Sequence, residues 1–459
     1  MRPQLVAGID SSTQQTKLVV VDATTGELVH SSAAPHPDGT ELRPQHWWDA
    51  LQSVGGAHPP GASALAVAAQ QHTSIFLDER GLPVRPAILW NDLRAAPSAR
   101  NLREELGDQR WLSSVGLLPD GAHPVSKLRW LAENEPTVAE RIATVLLPHD
   151  WLTWKLMDQA GMPATDRSDA SATGYWSPAT GRYLPELIEH ALGRPLSTPE
   201  VLAPDAVAGT TASGLVLAAG CGDNAATHLA LDTEPGDLVV SIGTSTTVSM
   251  RTVQPTADPA GTIETMADAR TGFIPIVVLL NGARVIGATA RLLRVTIEQL
   301  DALAYESDPA AAGALLVPHL DGERNPSSPT SSGSFIGLSR RSMTPPALAR
   351  ATYLGLGCSI AEAFDALTDA HGLPTRVFVV GGGARSQALR QTLADLIGSE
   401  VQWPVHREHA AFGAARQAAW TLTGALPRWG VGPVRRTTPS PDRHWVAQVR
   451  ERYRESVDR

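Results

Sequence analysis

A β-hairpin design occurs twice in this chain, and it constrains the fold more than any other feature. Near the start, the apolar runs 5–9 and 17–22 flank a polar turn. Roughly half a chain later, the apolar runs 238–242 and 247–250 flank a second small polar turn. Such runs, bounded by turn residues, predict paired strands. We interpret the recurrence as a weak duplication of two α/β domains, although two hairpins can also resemble each other by chance.

Predicted strands and helices alternate along the rest of the chain, which is typical of α/β domains. Strands are predicted at 64–69, 74–77, 86–90, 215–219 and 376–380, and helices at 95–106, 125–133, 150–157, 345–370, 386–397 and 410–422. We expect an N-terminal domain at 1–233 and a C-terminal domain at 234–459. The C-terminal domain ends in a polar, Arg-rich tail from about residue 430, which we expect to be a solvated helix.

Composition and charge exclude several classes of protein. The 459 residues carry a net charge of -9, which disfavours nucleic-acid and anionic-membrane partners because both usually require a basic patch. The two cysteines lie far apart, so neither a disulfide framework nor a structural zinc site is expected. The N-terminus lacks the pattern of a signal peptide, and no run is apolar enough to span a membrane. We therefore expect a cytoplasmic protein.

Two common nucleotide-binding motifs are missing. A P-loop requires a lysine directly after a glycine, and none of Lys17, Lys127 and Lys155 is in that position. The turn 381–386 begins with three glycines, but Ser386 stands where the dinucleotide fingerprint has its last glycine. A Walker-type ATP site is therefore excluded and a Rossmann cofactor site is disfavoured.

The two hairpin turns remain as candidates for binding polyphosphate. Tight turns rich in backbone N–H groups and small hydroxyls can approach phosphate closely, and 10–14 and 243–245 are such turns. An acid beside the phosphates, such as Asp10, can hold Mg²⁺, usually through water. Each turn by itself is more often only a turn, so the argument depends on the pair.

Asp223 is the sharpest candidate for catalysis. It follows a predicted buried strand, and ligands of open α/β sheets gather at the carboxyl ends of strands. Its small neighbours would let a substrate approach, and a carboxylate there can accept a hydroxyl proton during phosphoryl transfer. The alternative is that Asp223 caps the N-terminus of a helix, a position where aspartate is also favoured.

Three further segments follow predicted strands and could contact ligands. Gln71 and His72 carry groups that hydrogen-bond sugar hydroxyls, although a structural role is the more common one for a histidine in such a segment. Trp90 offers a flat ring for a sugar face, or it simply packs in the core. The glycines of 381–383 let a flat base approach the backbone, but they also suit a strand-to-helix turn.

In this order, the segments resemble the FGGY family of carbohydrate kinases, most of all its xylulokinases. The resemblance covers almost the whole chain, and several segments in the right order are far more specific than any one alone. The matching segments are 8–17, 70–72, 85–92, 146–152, 222–226, 241–245, 321–326 and 381–386.

The resemblance implies two actin-like ATPase domains, of the ribonuclease-H-like class, around a central cleft. It also implies an ATP- and Mg²⁺-dependent kinase acting on a ketopentose, most of all D-xylulose, with Asp223 as the general base and Asp10 supporting the metal. The implied sugar-binding residues are Gln71, His72, Trp90, Asp223 and Asn224. The implied nucleotide-binding residues are Ser12, Thr13, Gln14, Gly243, Thr244, Gly382, Gly383, Ala384 and Gln387.

One departure from the xylulokinase pattern concerns the sugar. Thr73 stands where that pattern usually has glycine, and a branched side chain there could narrow the sugar pocket. A kinase for another ketose or polyol, such as ribulose or an alditol, therefore stays open as an alternative. A catalytically silent sugar sensor is the alternative from another class. The oligomeric state also stays open, with a homodimer as one expectation.

Overall fold

The computed structural model describes residues 4–325, 328, 330–405 and 408–457, and the chain divides into two compact units. Unit 1 comprises the described residues up to Thr233 together with Thr252–Ile274 and Glu408–Val431. Unit 2 comprises Glu234–Arg251, the described residues of 275–405 and those from Gly432 onward. The chain first leaves unit 1 at the predicted boundary, but two later segments return to it. The division into two continuous domains therefore stays a prediction.

The strands follow one another as β1 Leu5–Ser11, β2 Gln15–Asp22, β3 Leu28–Pro35, β4 Glu41–Leu42, β5 Ala62–Ala69, β6 Ile75–Leu77, β7 Ala87–Ile88, β8 Thr144–Leu146, β9 Ala164–Asp166, β10 Trp176–Ser177, β11 Arg182–Tyr183, β12 Glu200–Leu202, β13 Val207–Thr210, β14 Val216–Ala218, β15 Cys221–Gly222, β16 Asp237–Ile242, β17 Thr246–Met250, β18 Ile276–Leu279, β19 Leu315–Val317, β20 Ser334–Ile336, β21 Arg376–Val380, β22 Val401–Pro404 and β23 Val434–Thr437.

The α-helices are α1 Gln45–Ser53, α2 Ala96–Leu106, α3 Asp108–Val115, α4 Pro124–Asn134, α5 Pro136–Ala139, α6 Pro148–Leu156, α7 Arg167–Ser171, α8 Pro185–Leu192, α9 Asp223–Ala230, α10 Ala283–Leu293, α11 Ile297–Tyr305, α12 Pro345–His371, α13 Gln387–Ile397, α14 His409–Thr423 and α15 Trp445–Val457. Short 3₁₀ turns lie at Ala311–Gly313 and Gly382–Arg385. Both predicted hairpins are confirmed, as are the long helix that begins at Pro345 and the helix that follows Glu408. In the described part of the chain, no helix combines the length and apolar character needed to cross a bilayer.

The main sheet of unit 1 is built on the first hairpin. Strand β1 pairs with β2 in antiparallel register and with β5 in parallel register, and the strand order is β13-β14-β5-β1-β2-β3. The short β15 pairs with the end of β5, so that Cys221 lies opposite Ala68 and Gly222 opposite Ala69. The carboxyl ends of β1, β5 and β15 therefore meet at one edge of the sheet, which is where ligands of such sheets bind.

Two glycines allow α14 to pack closely on this sheet. A Cβ atom on Gly8 of β1 would lie 2.0 Å from the carbonyl oxygen of Ala411 in α14. A Cβ atom on Gly413 would lie 1.8 Å from the carbonyl oxygen of Ala226 in α9. These distances are far below any tolerated contact, so α14 can lie this close to β1 and α9 only because both positions lack a side chain.

Unit 2 repeats the same arrangement around the second hairpin. Strand β16 pairs with β17 in antiparallel register and with β21 in parallel register, and the order is β18-β17-β16-β21-β22-β23. The prediction of a solvated helical tail is wrong in part. Strand β23 extends this sheet, and α15 buries Trp445, Val449 and Tyr453 against the apolar core of unit 2. Of the family-like segment 321–326, Pro326 lies outside the described residues.

Candidate active site

Asp223 lies at the carboxyl end of β15 and is the first residue of α9. The N-cap position belongs to Gly222, whose backbone is extended, so the interpretation of Asp223 as the cap is wrong. One carboxylate oxygen, Oδ1, accepts hydrogen bonds from the backbone N–H of Asn224 at 2.8 Å and from its side-chain Nδ2 at 3.0 Å. The residue is only half-buried. The carboxylate is thus oriented by its neighbour while part of it remains accessible.

The surroundings of Asp223 favour the protonated form. Burial, reinforced by the negative charges of Asp10 and Asp169, raises the pKa of Asp223 to about 7. A carboxyl group with a pKa near neutrality is a much stronger base, once ionised, than an ordinary surface aspartate. This is the property that a general base requires at physiological pH.

Asp10 lies near the end of β1, at the same edge of the sheet. Burial raises its pKa to about 6, against the opposing effect of Lys17, whose Nζ lies 3.8 Å from Oδ2. The carboxylate of Glu408, which binds the same Nζ at 2.6 Å, raises the pKa further. Among the described residues, no hydrogen-bond partner reaches the buried Oδ1 of Asp10. An unsatisfied buried carboxylate oxygen is the kind of donor that a hydrated divalent cation would satisfy.

The first predicted phosphate-binding turn, residues 10–14, is held in part by Trp90. Both the N–H and the hydroxyl of Ser12 donate to the carbonyl oxygen of Gln15, at 3.1 and 3.0 Å, and Gln14 is exposed. The indole Nε1 of Trp90 donates to the hydroxyl of Thr13 at 2.8 Å. The polar edge of Trp90 therefore binds the turn 10–14, while the predicted contact between its ring and a sugar stays a prediction.

Gln71 connects the end of β5 to the catalytic candidate. Its Oε1 accepts a hydrogen bond from Asn224 Nδ2 at 3.2 Å, and its Nε2 donates to the carbonyl oxygen of Ser168 at 3.1 Å. A Cβ atom on Gly222 would lie 2.5 Å from the Gln71 amide, so this glycine leaves the space that Gln71 occupies. Gln71, Asn224 and Asp223 thus form one hydrogen-bonded group.

His72 has a left-handed backbone conformation, with φ of 62°, which is uncommon for a residue other than glycine. Its Nδ1 donates to the carbonyl oxygen of Ala172 at 2.9 Å. The buried Lys127 Nζ donates to the carbonyl oxygen of His72 at 2.8 Å. Backbone strain that is held in place by such bonds is a feature of functional sites.

Thr73, the departure from the xylulokinase pattern, is fully buried. Its hydroxyl donates to Gln70 Oε1 at 3.1 Å and accepts from the backbone N–H of Trp90 at 3.2 Å. The threonine therefore joins the His72 turn to Trp90, and through Trp90 to Thr13. Nothing in these contacts indicates that the branched side chain narrows a sugar pocket.

Sequence reasoning missed a buried group behind β15. The Nδ1 atom of His149 lies 2.5 Å from Asp169 Oδ2, and its Nε2 atom lies 3.2 Å from the carbonyl oxygen of Ala219. Burial alone would lower the pKa of His149, but the carboxylates of Asp150 and Asp169 raise it to about 10. Ser168, which precedes Asp169 in α7, accepts a hydrogen bond through its hydroxyl oxygen from the backbone N–H of Gly222 at 2.9 Å. This group supports the strand that presents Asp223.

A second missed group lies beside His72. The ring of His123 meets the His72 ring edge-on, with centroids 4.9 Å apart, and its Nε2 lies 3.5 Å from Glu264 Oε2. Burial alone would lower the pKa of His123, but Asp120 and Glu264 raise it to about 9. No local pattern could reveal this group, because Glu264 comes from the segment that returns to unit 1 after the second hairpin.

In unit 2, the second predicted phosphate-binding turn, residues 243–245, lies against the glycine turn. A Cβ atom on Gly381, whose φ is 84°, would lie 2.5 Å from the carbonyl oxygen of Ile242, and one on Gly383 would lie 2.4 Å from the Ile242 side chain. Ile242 directly precedes Gly243, whose N–H donates to the Ser245 carbonyl oxygen at 2.9 Å. The two glycine-containing turns therefore share one end of the β16–β21 strand pair.

The rest of the glycine turn presents an open face. A Cβ atom on Gly382 would meet nothing within 4 Å, and Gly382 is exposed. Ala384 is buried, and Gln387 starts α13 with an exposed side chain and its N–H bound to Asp301 at 3.0 Å. Thr244 is half-buried beside Gly243. The predicted nucleotide-binding residues of the second half thus lie together in unit 2, and the predicted sugar-binding residues lie together in unit 1.

Comparison with known proteins identifies the family. Residues 5–228 match the N-terminal domain of the FGGY family of carbohydrate kinases, and residues 238–422 match its C-terminal domain. The chain belongs to the FGGY family of carbohydrate kinases. This FGGY kinase is similar to a xylulose kinase of Streptomyces coelicolor, with 41% identity over 454 residues that cover 94% of this chain and 92% of the relative. It is also similar to a glycerol kinase of Alkalilimnicola ehrlichii, with 28% identity and 92% of each chain covered.

Solved structures agree with this assignment. The crystal structure of a xylulose kinase from Bifidobacterium adolescentis matches this FGGY kinase with a TM-score of 0.87 and 35% identity over 100% of both chains. The predicted family and the predicted α/β fold with two actin-like ATPase domains are therefore confirmed. The predicted enzyme class, a carbohydrate kinase that uses ATP and a sugar, is confirmed with them.

Proposed function

We propose that this FGGY kinase transfers the γ-phosphoryl group of ATP to D-xylulose and forms D-xylulose 5-phosphate. The observation that carries the proposal is Asp223, a half-buried carboxyl group with its pKa raised to about 7, bonded through Asn224 to Gln71. The similarity to xylulose kinases over nearly the whole chain supports the choice of sugar.

The proposed mechanism assigns one task to each group of unit 1. Asp223 accepts the proton of the attacking hydroxyl, which is worth on the order of 10²–10⁴-fold in rate. Gln71, His72 and Asn224 bind the sugar hydroxyls and fix the attacking oxygen near that carboxylate, since phosphoryl transfer depends mainly on positioning and charge. Trp90 holds the Thr13 hydroxyl toward the phosphates.

Asp10 fits the predicted magnesium ion. Its buried Oδ1 has no protein partner among the described residues, and carboxylate oxygen is a donor that Mg²⁺ accepts, usually with water completing the shell. When bound, the cation neutralises charge on the ATP phosphates. The protein's own contribution here is to keep the Asp10 carboxylate buried and oriented beside Lys17.

The remaining turns would bind the nucleotide. Backbone N–H groups and hydroxyls of Ser12, Thr13 and Gln14 in unit 1, and of Gly243 and Thr244 in unit 2, suit the phosphates. The open face at Gly382, with Gly383, Ala384 and Gln387, suits the adenine, since a flat base can approach a backbone that carries no side chain.

The cytoplasmic location and the homodimer stay predictions. Light scattering of the purified protein would test the oligomeric state.

The test is coupled ADP release with ATP and Mg²⁺ on a panel of D-xylulose, D-ribulose, L-ribulose, glycerol and D-gluconate. We expect kcat/KM to be highest for D-xylulose. A preference for glycerol or another ketose would support the kinase activity but contradict D-xylulose as its substrate. Glycerol is included in the panel because the chain is also similar to a glycerol kinase. Background rates of ADP release with every sugar would contradict the kinase activity and favour the catalytically silent sugar sensor.

The role of Asp223 is tested by Asp223→Ala. This variant is expected to lose at least ~10²-fold in kcat while sugar and ATP still bind.

A further inference from the structure

The group beside the proposed sugar site has the composition of a metal centre. His72, His123 and Glu264 are buried, and each offers one donor atom to a set whose members all lie within 4.8 Å of one another. They come from three separate segments of unit 1, namely the turn after β5, the N-cap of α4 and the segment Thr252–Ile274. The fold, rather than a local motif, brings them together.

The hydrogen bonds of both rings orient them as metal ligands. His72 Nδ1 donates to the carbonyl oxygen of Ala172 at 2.9 Å, so Nε2 is the nitrogen that a metal would bind. His123 Nδ1 lies 2.9 Å from Asp120 Oδ1, and its Nε2 lies 3.5 Å from Glu264 Oε2. Metal-ligating histidines almost always give their other ring nitrogen to a backbone carbonyl or a carboxylate, and both partners occur here.

The neighbouring buried group provides a contrast within the same unit. His149, Asp150 and Asp169 also offer donor atoms close to one another. However, His149 Nδ1 lies only 2.5 Å from Asp169 Oδ2, a hydrogen-bond distance that leaves no space for a metal ion between these two atoms. That arrangement is a hydrogen-bonded ion pair that supports β15, whereas the 3.5 Å between His123 Nε2 and Glu264 Oε2 matches the spacing of two ligands on one metal ion.

Two imidazole nitrogens and one carboxylate oxygen select the metal by chemistry. This donor set suits Zn²⁺ and similar transition-metal ions, whereas Mg²⁺ prefers oxygen ligands and would not compete for it. Bonds of about 2.0–2.2 Å in tetrahedral geometry place donors roughly 3.4 Å apart. The His123–Glu264 distance of 3.5 Å already suits this geometry, and His72 Nε2, which lies within 4.8 Å of both other donors, needs to move closer by at most about 1.4 Å through side-chain rotation.

We propose that His72, His123 and Glu264 bind a Zn²⁺-class cation that inhibits the kinase by competing with the ketose. The inhibition rests on the proposed function, because it requires His72 to be a sugar ligand. A nitrogen that is bonded to a metal cannot accept a hydrogen bond from a sugar hydroxyl. The cation therefore raises the KM for the sugar and leaves Mg²⁺ and ATP in their own site.

The direct test uses the full-length protein, stripped with a chelator and titrated with Co²⁺ as a spectroscopic substitute for Zn²⁺. We expect one Co²⁺ to bind per chain with visible ligand-field absorption that Zn²⁺ removes. Glu264→Gln and His123→Phe abolish the absorption. His190→Asn, which changes a half-buried histidine paired with Glu105 elsewhere in unit 1, retains it.

The kinetic test measures ADP release at fixed MgATP with increasing Zn²⁺. We expect the KM for the ketose to rise at least tenfold with kcat nearly unchanged, and Glu264→Gln to be insensitive. Absence of stoichiometric Co²⁺ and Zn²⁺ binding by the wild-type protein overturns the proposal, as does binding that both variants retain. If either variant does not fold, a Zn²⁺-dependent rise in the Tm of the wild type decides instead, and no rise overturns the site. If no sugar is phosphorylated, the proposed function fails while the Co²⁺ spectrum still reports on the site.

Discussion

Replacing Asp223 by asparagine should lower kcat at least ~10²-fold and, at neutral pH, stabilise the fold. The substitution keeps the shape and the hydrogen bonds to Asn224 but removes a carboxylate that the protein makes difficult to ionise. In the unfolded chain Asp223 ionises near pH 4, whereas burial, Asp10 and Asp169 raise its folded pKa to about 7. The wild type therefore loses stability as the pH rises from about 4 to 7, and the loss is constant above pH 7.

The magnitude follows from this difference in pKa. A rise of about three pH units corresponds to an upper limit of about 4 kcal/mol, at 1.36 kcal/mol per unit. Asp223 is half-buried, so water screens its charge, and about 2 kcal/mol is the expected effect. For a domain of this size, 2 kcal/mol corresponds to a Tm higher by about 4–8 °C for Asp223→Asn at pH 8.

The assay is thermal unfolding of wild type and Asp223→Asn at several pH values from 4.5 to 8.5, alongside ADP release. Asp232→Asn is the matched control with the opposite sign. Burial alone would raise the pKa of Asp232, but Arg416 and Arg270 lower that pKa. Removing the Asp232 carboxylate should therefore lower the stability of the protein at pH 7, and the loss of stability should be smaller at acidic pH. A Tm difference for Asp223→Asn that does not grow between pH 4.5 and 7 would refute the electrostatic reasoning. Near-normal turnover of this variant would refute the assignment of the base.

Three further predictions concern the rest of unit 1. Asp10→Asn removes a charge that raises the pKa of Asp223, so the acidic limb of the pH profile of kcat/KM for the sugar should move to lower pH. An acidic limb at the wild-type position would contradict an electrostatic interaction between Asp10 and Asp223. Trp90→Phe removes the bond to Thr13, and kcat/KM for ATP should fall about 3- to 10-fold, the worth of one hydrogen bond; an unchanged value would contradict a role in the phosphate turn. Gly8→Ala should cost at least ~2 kcal/mol in urea unfolding because its Cβ would clash with Ala411, whereas Gly287→Ala, with no contact under 3.7 Å, should be neutral or stabilising.

Local sequence patterns predicted much of the fold and the position of Asp223 within it. Apolar runs and polar turns placed both hairpins, and the position of Asp223 after a buried strand placed it at the edge where β1, β5 and β15 end. These predictions succeed because strand alternation and turn chemistry act over a few residues. The correct position of Gly222 as the N-cap was missed, since aspartate and glycine both favour that role.

The residues that sequence reasoning missed are those that interact across long separations. His149 and Asp169 support β15 from α6 and α7, and Glu264 reaches His123 from a segment of a different half of the chain. The tail was predicted as a solvated helix because its Arg-rich composition outweighed the regular spacing of Trp445, Val449 and Tyr453. That spacing places all three side chains on one buried face of the helix. The prediction was based on the many charged residues of the tail and did not take this apolar spacing into account.

The return of α14 to unit 1 has a consequence for the order of folding during synthesis. The helix begins at His409, yet it packs on β1 and α9, which leave the ribosome far earlier. Until α14 emerges, the surfaces of β1 and α9 that it covers are exposed and open to misassociation. Unit 1 therefore cannot complete before nearly the whole of unit 2 has been translated, and a chain that stops before residue 408 should depend on chaperones even though it retains Asp10 and Asp223.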